Sequence, residues 1–150
     1  RTANDEDLLR WACRLHEIGL TIAHSQYHKH GAYLLRYSDL PGFTQQFQKD
    51  LATLVRGHRR KFSPAVFQDI EPEEKSRLRH LCVLVRLAVL LQHPRNYEAP
   101  PEMILNGRQN HLVVELPKDW LDERPLTLTD LKNEQDYLRR QDFTLEIRTR

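Results

Sequence analysis

The spacing of the apolar residues changes once along this chain, and that change limits the folds it can adopt. Up to about residue 92 the apolar residues recur every three or four positions, as on an amphipathic helix. Beyond residue 101 they alternate with polar residues, as on a strand. A segment with three prolines, 94–101, separates the two patterns. The sequence therefore predicts a mainly α fold, with a helical domain over 1–96 and a small α+β subdomain over 101–150.

Four helices are predicted in the first part of the chain. They are expected at 4–18, 25–37, 45–57 and 73–92. Asn4 and Thr44 have the residue types that cap a helix start, and Gly19 is expected to end the first helix in a left-handed conformation. A short turn is expected at 65–69. The last of the four helices is apolar on more than one face, which is typical of a central, buried helix.

The second part is predicted to contain a hairpin, a helix and a strand. Segments 103–105 and 111–116 are the hairpin strands, with Asn106 and Gly107 as the turn signal in a loop longer than two residues. A helix is expected from Thr127 or Thr129 to Gln141, after a helical turn at 118–121. Residues 143–147 alternate as a final strand.

Several classes of protein are excluded or disfavoured by simple counts. Cys13 and Cys82 both lie in apolar helical patterns, so we expect buried free thiols and a reducing, cytoplasmic location rather than a secreted disulfide scaffold. No run of 18 or more apolar residues exists, so no membrane span is expected. Because the sequence begins with Arg1 rather than methionine, we expect a fragment of a longer protein.

Positive charge is concentrated in the middle of the chain. The net charge is only +2, but residues 18–97 hold twelve lysines and arginines against six acidic residues. Arginine outnumbers lysine by seventeen to six. Since the guanidinium group presents a rigid fork of donors to phosphate oxygens, this composition predicts a polyanionic partner.

His16 and Glu17 end the first predicted helix and precede Ile18 and Gly19. A His-carboxylate pair in this position resembles the core of the HD phosphohydrolases, where a His-Asp pair bridges divalent metal ions. That resemblance gives an alternative function, an active metal-dependent nucleotide phosphohydrolase. The ligand set is incomplete, because Glu17 replaces aspartate and Val89 stands where the late aspartate of that family is expected. We therefore predict no catalytic or metal-binding residue here and interpret His16 and Glu17 as a vestigial hydrogen-bonded pair.

A resemblance to another family extends over essentially the whole chain. It rests on seven segments in the same order: LHEIGL (15–20), YHKHGAYLL (27–35), SDLPGF (38–43), LVRGHRRK (54–61), VRLAVLL (85–91), LPKDW (116–120) and DLKNEQ (130–135). Together these segments resemble the C-terminal region of exopolyphosphatases and guanosine pentaphosphate phosphohydrolases, the Ppx/GppA phosphatase family.

That resemblance implies an accessory role for this chain. It implies an HD-like helical domain that lines a basic channel for inorganic polyphosphate and contributes to a homodimer. Two N-terminal actin-like domains, which precede this region in the family, would release orthophosphate with Mg²⁺, and no cofactor is expected in this chain itself. The sequence leaves open whether inorganic polyphosphate or guanosine pentaphosphate is the preferred substrate.

The resemblance and the charge pattern together predict which residues bind polyphosphate. They lie in two clusters, one at the start of the second helix and one at the end of the third: His24, His28, Lys29 and His30, and Arg56, His58, Arg59, Arg60 and Lys61. A helix start favours anions through its free N–H groups, and a bound polyanion would favour protonated imidazoles.

Two further expectations concern single residues and side-chain classes. Arg86 lies inside the most apolar helix, so it is expected either to have an acidic partner or to reach solvent, and Glu17 is the candidate partner. An RNA-binding module is a third possible function, because a basic patch does not specify its ligand. The aromatic residues argue against it, since most of them are expected in the core rather than exposed for base stacking.

Overall fold

A computed structural model describes residues 3–92 and 101–150. The chain divides into two compact units, Arg1–Val89 and Leu90–Arg150. The first unit is helical and the second contains a three-stranded sheet with helices, which confirms the predicted fold class. The predicted linker over 95–101 lies outside the described residues except for Pro101, and the domain boundary there stays a prediction.

The four helices predicted in the first unit are all present. They are α1 (Ala3–Leu15), α2 (Tyr27–Tyr37), α3 (Gln45–Arg56) and α4 (Pro72–Leu91). Short 3₁₀ turns lie at Ile18–Thr21 and Pro64–Phe67, the second within one or two residues of the predicted turn. None of the described helices is both long and apolar enough to cross a lipid bilayer.

One of the two predicted N-caps is confirmed and the other is wrong. The Oγ1 atom of Thr44 accepts a hydrogen bond from the backbone N–H of Phe47 at 3.0 Å, which caps α3. Asn4 lies inside α1, because the helix already includes Ala3.

The expectation for Gly19 is also wrong, because its role is steric. Among the described glycines only Gly42 has a positive φ. Gly19 lies in the 3₁₀ turn after α1, where a Cβ atom would come within 1.9 Å of the Tyr27 carbonyl oxygen and 2.5 Å of the Gly31 nitrogen. The turn therefore packs directly against the backbone at the start of α2, and only glycine allows that approach.

α4 is largely buried, as its apolar composition predicted. Seven of its residues are buried: Leu78, Leu81, Cys82, Val83, Val85, Arg86 and Leu87. Arg77, nearer the start of α4, donates from Nε to the Asp5 carboxylate of α1 at 2.7 Å. This ion pair joins the first and last helices of the unit.

The second unit is a small sheet covered by helices. Its elements are β1 (Ile104–Arg108), β2 (His111–Leu116), α5 (Lys118–Asp122), α6 (Pro125–Arg139) and β3 (Thr144–Thr149). β1 pairs antiparallel with β2, whereas β3 pairs with β2 in parallel. A parallel neighbour requires a crossover connection, and α5 and α6 supply it. Leu112, Val114 and Leu116 form the buried face of β2.

The hairpin turn lies three residues later than predicted. Arg108 pairs with His111, so the loop consists of Gln109 and Asn110 only, and Gln109 has a φ of 52°. Asn106 and Gly107 are inside β1. The apolar alternation of β2 fixes the register of the strand, because a shift by one residue would expose its buried face, and the turn follows from that register.

Candidate functional site

The predicted anion-binding residues lie where α2 begins and where α3 ends. Lys29 and His30 lie in the first turn of α2, and the loop after α3 carries the basic run from His58 to Lys61. Five of the nine predicted residues are exposed: His24, Lys29, Arg56, Arg60 and Lys61. His30 and Arg59 are half-buried, whereas His28 and His58 are buried, with 7% and 2% of their surface exposed.

Three histidines from different elements meet next to these cations. We call His16, His28 and His58 the imidazole cluster. The ring of His58 lies in the middle, with its centroid 5.2 Å from that of His16 and 6.5 Å from that of His28. Tyr27 lies against the same ring at 5.7 Å. The end of α1, the start of α2 and the loop after α3 therefore converge at one place.

Two of these imidazoles are neutral at pH 7. Burial lowers the pKa of His58 to about 3, and the positive charge of the nearby Arg59 acts in the same direction. The Nδ1 atom of His58 donates to the Val55 carbonyl at 2.5 Å, which leaves Nε2 as a buried acceptor without a hydrogen-bond partner in the described structure. The sequence analysis predicted His58 as a cationic contact. Because the ring is buried, it is a neutral side chain instead.

His28 is held neutral for two reasons. Burial lowers its pKa to about 4, and the positive charges of Arg59, Lys29, Arg60 and Arg56 act in the same direction. Its Nδ1 atom is also buried and has no hydrogen-bond partner among the described residues. The four cations that act on this ring come from α2, from the end of α3 and from the loop that follows. The structure therefore concentrates positive charge around one small region.

Arg59 is stacked rather than extended into solvent. Its guanidinium carbon lies 4.2 Å from the centre of the Tyr27 ring, within the range of a cation–π contact. Its Nη1 atom is buried and has no hydrogen-bond partner in the described part of the chain. A buried guanidinium N–H without an acceptor is costly, and an anion is the type of group that satisfies it.

Arg86 holds the basic loop in place. From α4 its Nη1 atom donates to the Gly57 carbonyl at 2.8 Å and its Nη2 atom to the Arg60 carbonyl at 2.6 Å. Arg60 has a φ of 65°, a left-handed conformation that turns the loop here. Sequence reasoning left open whether Arg86 has an acidic partner or reaches solvent, and the structure buries it on these backbone acceptors. Its pairing with Glu17 stays a prediction.

Substituting Arg86 tests this anchoring role. We expect Arg86→Met to lower the free energy of unfolding by about 2 kcal/mol, because the carbonyls of Gly57 and Arg60 lose their donor while the side-chain volume is largely kept. Urea denaturation measures the effect. Arg79→Met, a half-buried arginine of the same helix, is the matched control. Equal losses in the two variants would contradict a specific role for Arg86.

His16 and Glu17 form the pair that the sequence predicted. The Nδ1 atom of His16 donates to the Cys13 carbonyl at 2.7 Å, and its Nε2 atom lies 3.3 Å from the Glu17 carboxylate. Within residues 3–92 and 101–150, no three His, Cys, Asp or Glu side chains are grouped as a metal site requires. The donors needed for a two-ion phosphohydrolase centre are thus not brought together in the described structure.

Two exposed tyrosines are exceptions to the expectation that most aromatic residues lie in the core. Tyr33 and Tyr37 are 63% and 68% exposed on one face of α2, with ring centroids 4.9 Å apart. Their spacing of four residues was visible in the sequence. It did not reveal that this face is left open, because the same spacing is typical of a buried helix face.

Comparison with known proteins supports the resemblance seen in the sequence. Residues 1–135 match the family Ppx/GppA phosphatase, domain III. The chain is 33% identical over 134 residues to a guanosine-5'-triphosphate,3'-diphosphate pyrophosphatase of Pseudoalteromonas translucida, and 39% identical over 129 residues to the protein of that name in Vibrio atlanticus. These alignments cover 89% and 86% of this chain but only 27% and 26% of the relatives. The chain thus spans about a quarter of the length of these relatives.

Proposed function

The chain belongs to the Ppx/GppA phosphatase family, in which it matches domain III, and we propose that it is a non-catalytic domain that binds polyphosphate. In this proposal the cations at the start of α2 and after α3 line a basic channel for a chain of phosphates. Cleavage takes place in other domains of the same protein.

The convergence of four cations on His28 is the observation that carries the proposal. Arg59, Lys29, Arg60 and Arg56 all act to lower the pKa of this ring. Like charges held close together repel one another, so a group of this kind is stabilised when an anion binds. The unpartnered N–H of Arg59 supports the same conclusion.

Polyphosphate suits this site better than a compact anion. Its negative charges repeat along a flexible chain, so successive units can contact Arg60 and Lys61 in the loop and Lys29 on α2. Such contacts use charge and phosphate geometry alone, and affinity should fall steeply with salt, as it does when proteins displace counterions from nucleic acids. Binding should therefore increase with the length of the polyphosphate chain.

The wider assembly is part of the same proposal. N-terminal actin-like domains with Mg²⁺ would release orthophosphate from polyphosphate or guanosine pentaphosphate in the cytoplasm, and this domain would keep the polymer bound between cleavages. A homodimer is proposed as well. It is supported by β1, whose five residues are all exposed and which has no second strand beside it in the described sheet.

Neutralising two exposed cations of the loop tests the proposal. We expect Arg60→Gln with Lys61→Gln to weaken binding of long-chain polyphosphate at low salt by about tenfold or more, since each lost contact is charge-assisted. The slope of log affinity against log salt should decrease by about 1.4, the value for two phosphate contacts on a flexible strand. Titration calorimetry at several salt concentrations measures both quantities.

A second double variant controls for net charge. Arg139→Gln with Arg140→Gln removes two exposed cations from the end of α6 in the other unit. It should leave polyphosphate affinity within about twofold of the unmodified chain. If both double variants weaken binding equally, the interaction depends on overall charge and the proposed channel is wrong. If single-stranded RNA of equal charge competes as strongly as polyphosphate does, an RNA-binding module is favoured instead.

A further inference from the structure

The first strand of the small sheet has a free edge. In the order β1-β2-β3, β1 pairs only with β2, so its outer side has no second strand in the described sheet. All five residues of Ile104–Arg108 are exposed. The backbone N–H and C=O groups along an edge of this kind can pair with a further strand.

The two edges of the sheet differ in charge. β3 is the other edge, and it carries Glu146 and Arg148 within the strand, where Nε of Arg148 donates to the Glu146 carboxylate. Charged side chains protect an edge strand against pairing with another chain. β1 has four uncharged residues before Arg108 at its end. Most of the length of β1 therefore lacks this protection.

One face of β1 is apolar and uncovered. Leu105 pairs with Val114 of β2, and residues opposite each other in a sheet lie on the same face. Val114 is fully buried, whereas Leu105 is 46% exposed. The core that covers β2 therefore ends before β1. A further strand beside β1 would place another side chain against Leu105 and reduce its exposure to water.

Opposite charges flank this strand at equal distances from Leu105. Glu102 lies three residues before Leu105 and Arg108 lies three residues after it, and both are exposed. Nη2 of Arg150 donates to the backbone carbonyl of Glu102 and lies 4.0 Å from its carboxylate, but the Glu102 side chain remains 93% exposed. Arg108 has no ion pair with any other described residue. The edge is therefore self-complementary in charge, since an antiparallel copy centred on Leu105 places each charge opposite its counter-charge.

We propose that β1 pairs antiparallel with β1 of a second copy of this chain, with the two-fold axis at Leu105. Pairing extends β1 by Glu102 and Met103. The two Leu105 side chains then lie opposite each other, and Glu102 of each copy lies opposite Arg108 of the other. Met103 lies opposite Gly107, which has no side chain to obstruct it. The two three-stranded sheets become one continuous sheet with β3 at both ends.

The charge pattern selects this register over its neighbours. In an antiparallel pair centred on Ile104 or on Asn106, Glu102 lies opposite an asparagine and the charge pair is lost. Opposite charges across a strand pair are stabilising, and the two-fold axis makes each contact twice. This inference rests on the homodimer of the proposed function, for which it names the interface. It does not depend on polyphosphate binding.

Charge reversal tests the register. The unmodified chain is expected to sediment as a dimer. Glu102→Arg alone and Arg108→Glu alone should each weaken dimerisation by about tenfold or more, because both charge pairs of the dimer become repulsive. An equimolar mixture of these two variants should form a heterodimer about as stable as the unmodified dimer, since each arginine again lies opposite a glutamate. Analytical ultracentrifugation measures all of these. Lys132→Glu, the same change of charge at an exposed position of α6, should leave the dimer unchanged.

Cysteine cross-linking tests the position of the axis. Leu105→Cys should form a disulfide between two copies under mild oxidation, because residues opposite each other in an antiparallel pair have Cα atoms about 5 Å apart. Ile104→Cys should not, although it is equally exposed, since the same residue of the second copy would be about 8 Å away. Cys13 and Cys82 are present in both variants and give the background. Non-reducing electrophoresis measures the cross-link, and thermal unfolding shows that each variant is folded.

Three results would overturn this interface while leaving the homodimer intact. They are a dimer that survives both charge reversals, two reversal variants that do not associate when mixed, and cross-linking through Ile104→Cys as efficient as through Leu105→Cys. A monomeric unmodified chain would overturn the interface and the homodimer together, and would mean that something other than a second copy covers β1. Polyphosphate binding has a separate signature in the Arg60 and Lys61 variants.

Discussion

Replacing Gly19 by alanine is expected to lower the free energy of unfolding of the helical unit by about 4 kcal/mol, near the upper end for a single substitution. The added methyl group would lie 1.9 Å from the Tyr27 carbonyl oxygen and 2.5 Å from the Gly31 nitrogen. Both are backbone atoms, so no side chain can rotate away, and the 3₁₀ turn after α1 must separate from α2. Urea denaturation followed by circular dichroism measures the loss.

Gly42→Ala in the same unit separates this clash from the conformational cost of losing a glycine. Gly42 has a φ of 94°, but no atom lies within 4 Å of the place that an added methyl group would take. Alanine at this position is therefore strained only in its backbone and should lower the free energy of unfolding by about 1 kcal/mol. If both substitutions lower the free energy of unfolding by the same small amount, the turn does not pack on α2 as closely as described. Because Tyr27 and His28 begin α2, Gly19→Ala should also weaken polyphosphate binding.

Lowering the pH from 7 to 5 is expected to destabilise the helical unit by about 2 kcal/mol for each of His28 and His58. Their pKa values in the folded chain, about 4 and about 3, lie below the value of 6.5 for an exposed imidazole. The stability that they contribute is therefore fully present above pH 6.5. It is lost as the pH falls below 6.5 towards the folded values, because the unfolded chain binds protons first.

The variant His58→Gln isolates this effect. It replaces the imidazole by a neutral side chain, so the loss of stability between pH 7 and pH 5 should fall by about half. Asp50 acts in the opposite direction, since burial raises its pKa, but it is common to both proteins and cancels in the comparison. His24→Gln, which removes an exposed histidine, should leave the acid sensitivity unchanged. If His58→Gln loses as much stability between pH 7 and pH 5 as the unmodified chain, the ring of His58 is not buried in its neutral form.

The elements of the fold were largely predictable because each has a strong local signal. α4 has too many apolar residues for one face, and the structure buries seven of its residues. α3 begins at Thr44, whose hydroxyl caps the helix as expected. The errors involve the cap at Asn4, the role of Gly19 and the hairpin turn. The role of Gly19 depends on the backbone that packs against it, and the position of Gly107 depends on the strand register. Neither can be deduced from residues nearby in the sequence.

The candidate site was predictable only as a collection of residue types. The run from Arg56 to Lys61 and the histidines near residue 28 were visible, and the structure does bring these two segments together. Which of these residues are exposed and which are buried was not predictable. The sequence does not distinguish the exposed Lys61 from the buried His58, three positions away, because that difference depends on which side of the loop faces the helices.

The sequence by itself determined the helical and strand periods, the family and the excess of arginine, since each is a property of residues close together in the chain. Only the tertiary structure decided that His16, His28 and His58 share one cluster. It also decided that Arg86 anchors the basic loop through backbone carbonyls and that Tyr33 and Tyr37 are open to solvent. Burial and charge depend on neighbours tens of residues away, and those neighbours are set when the helices pack.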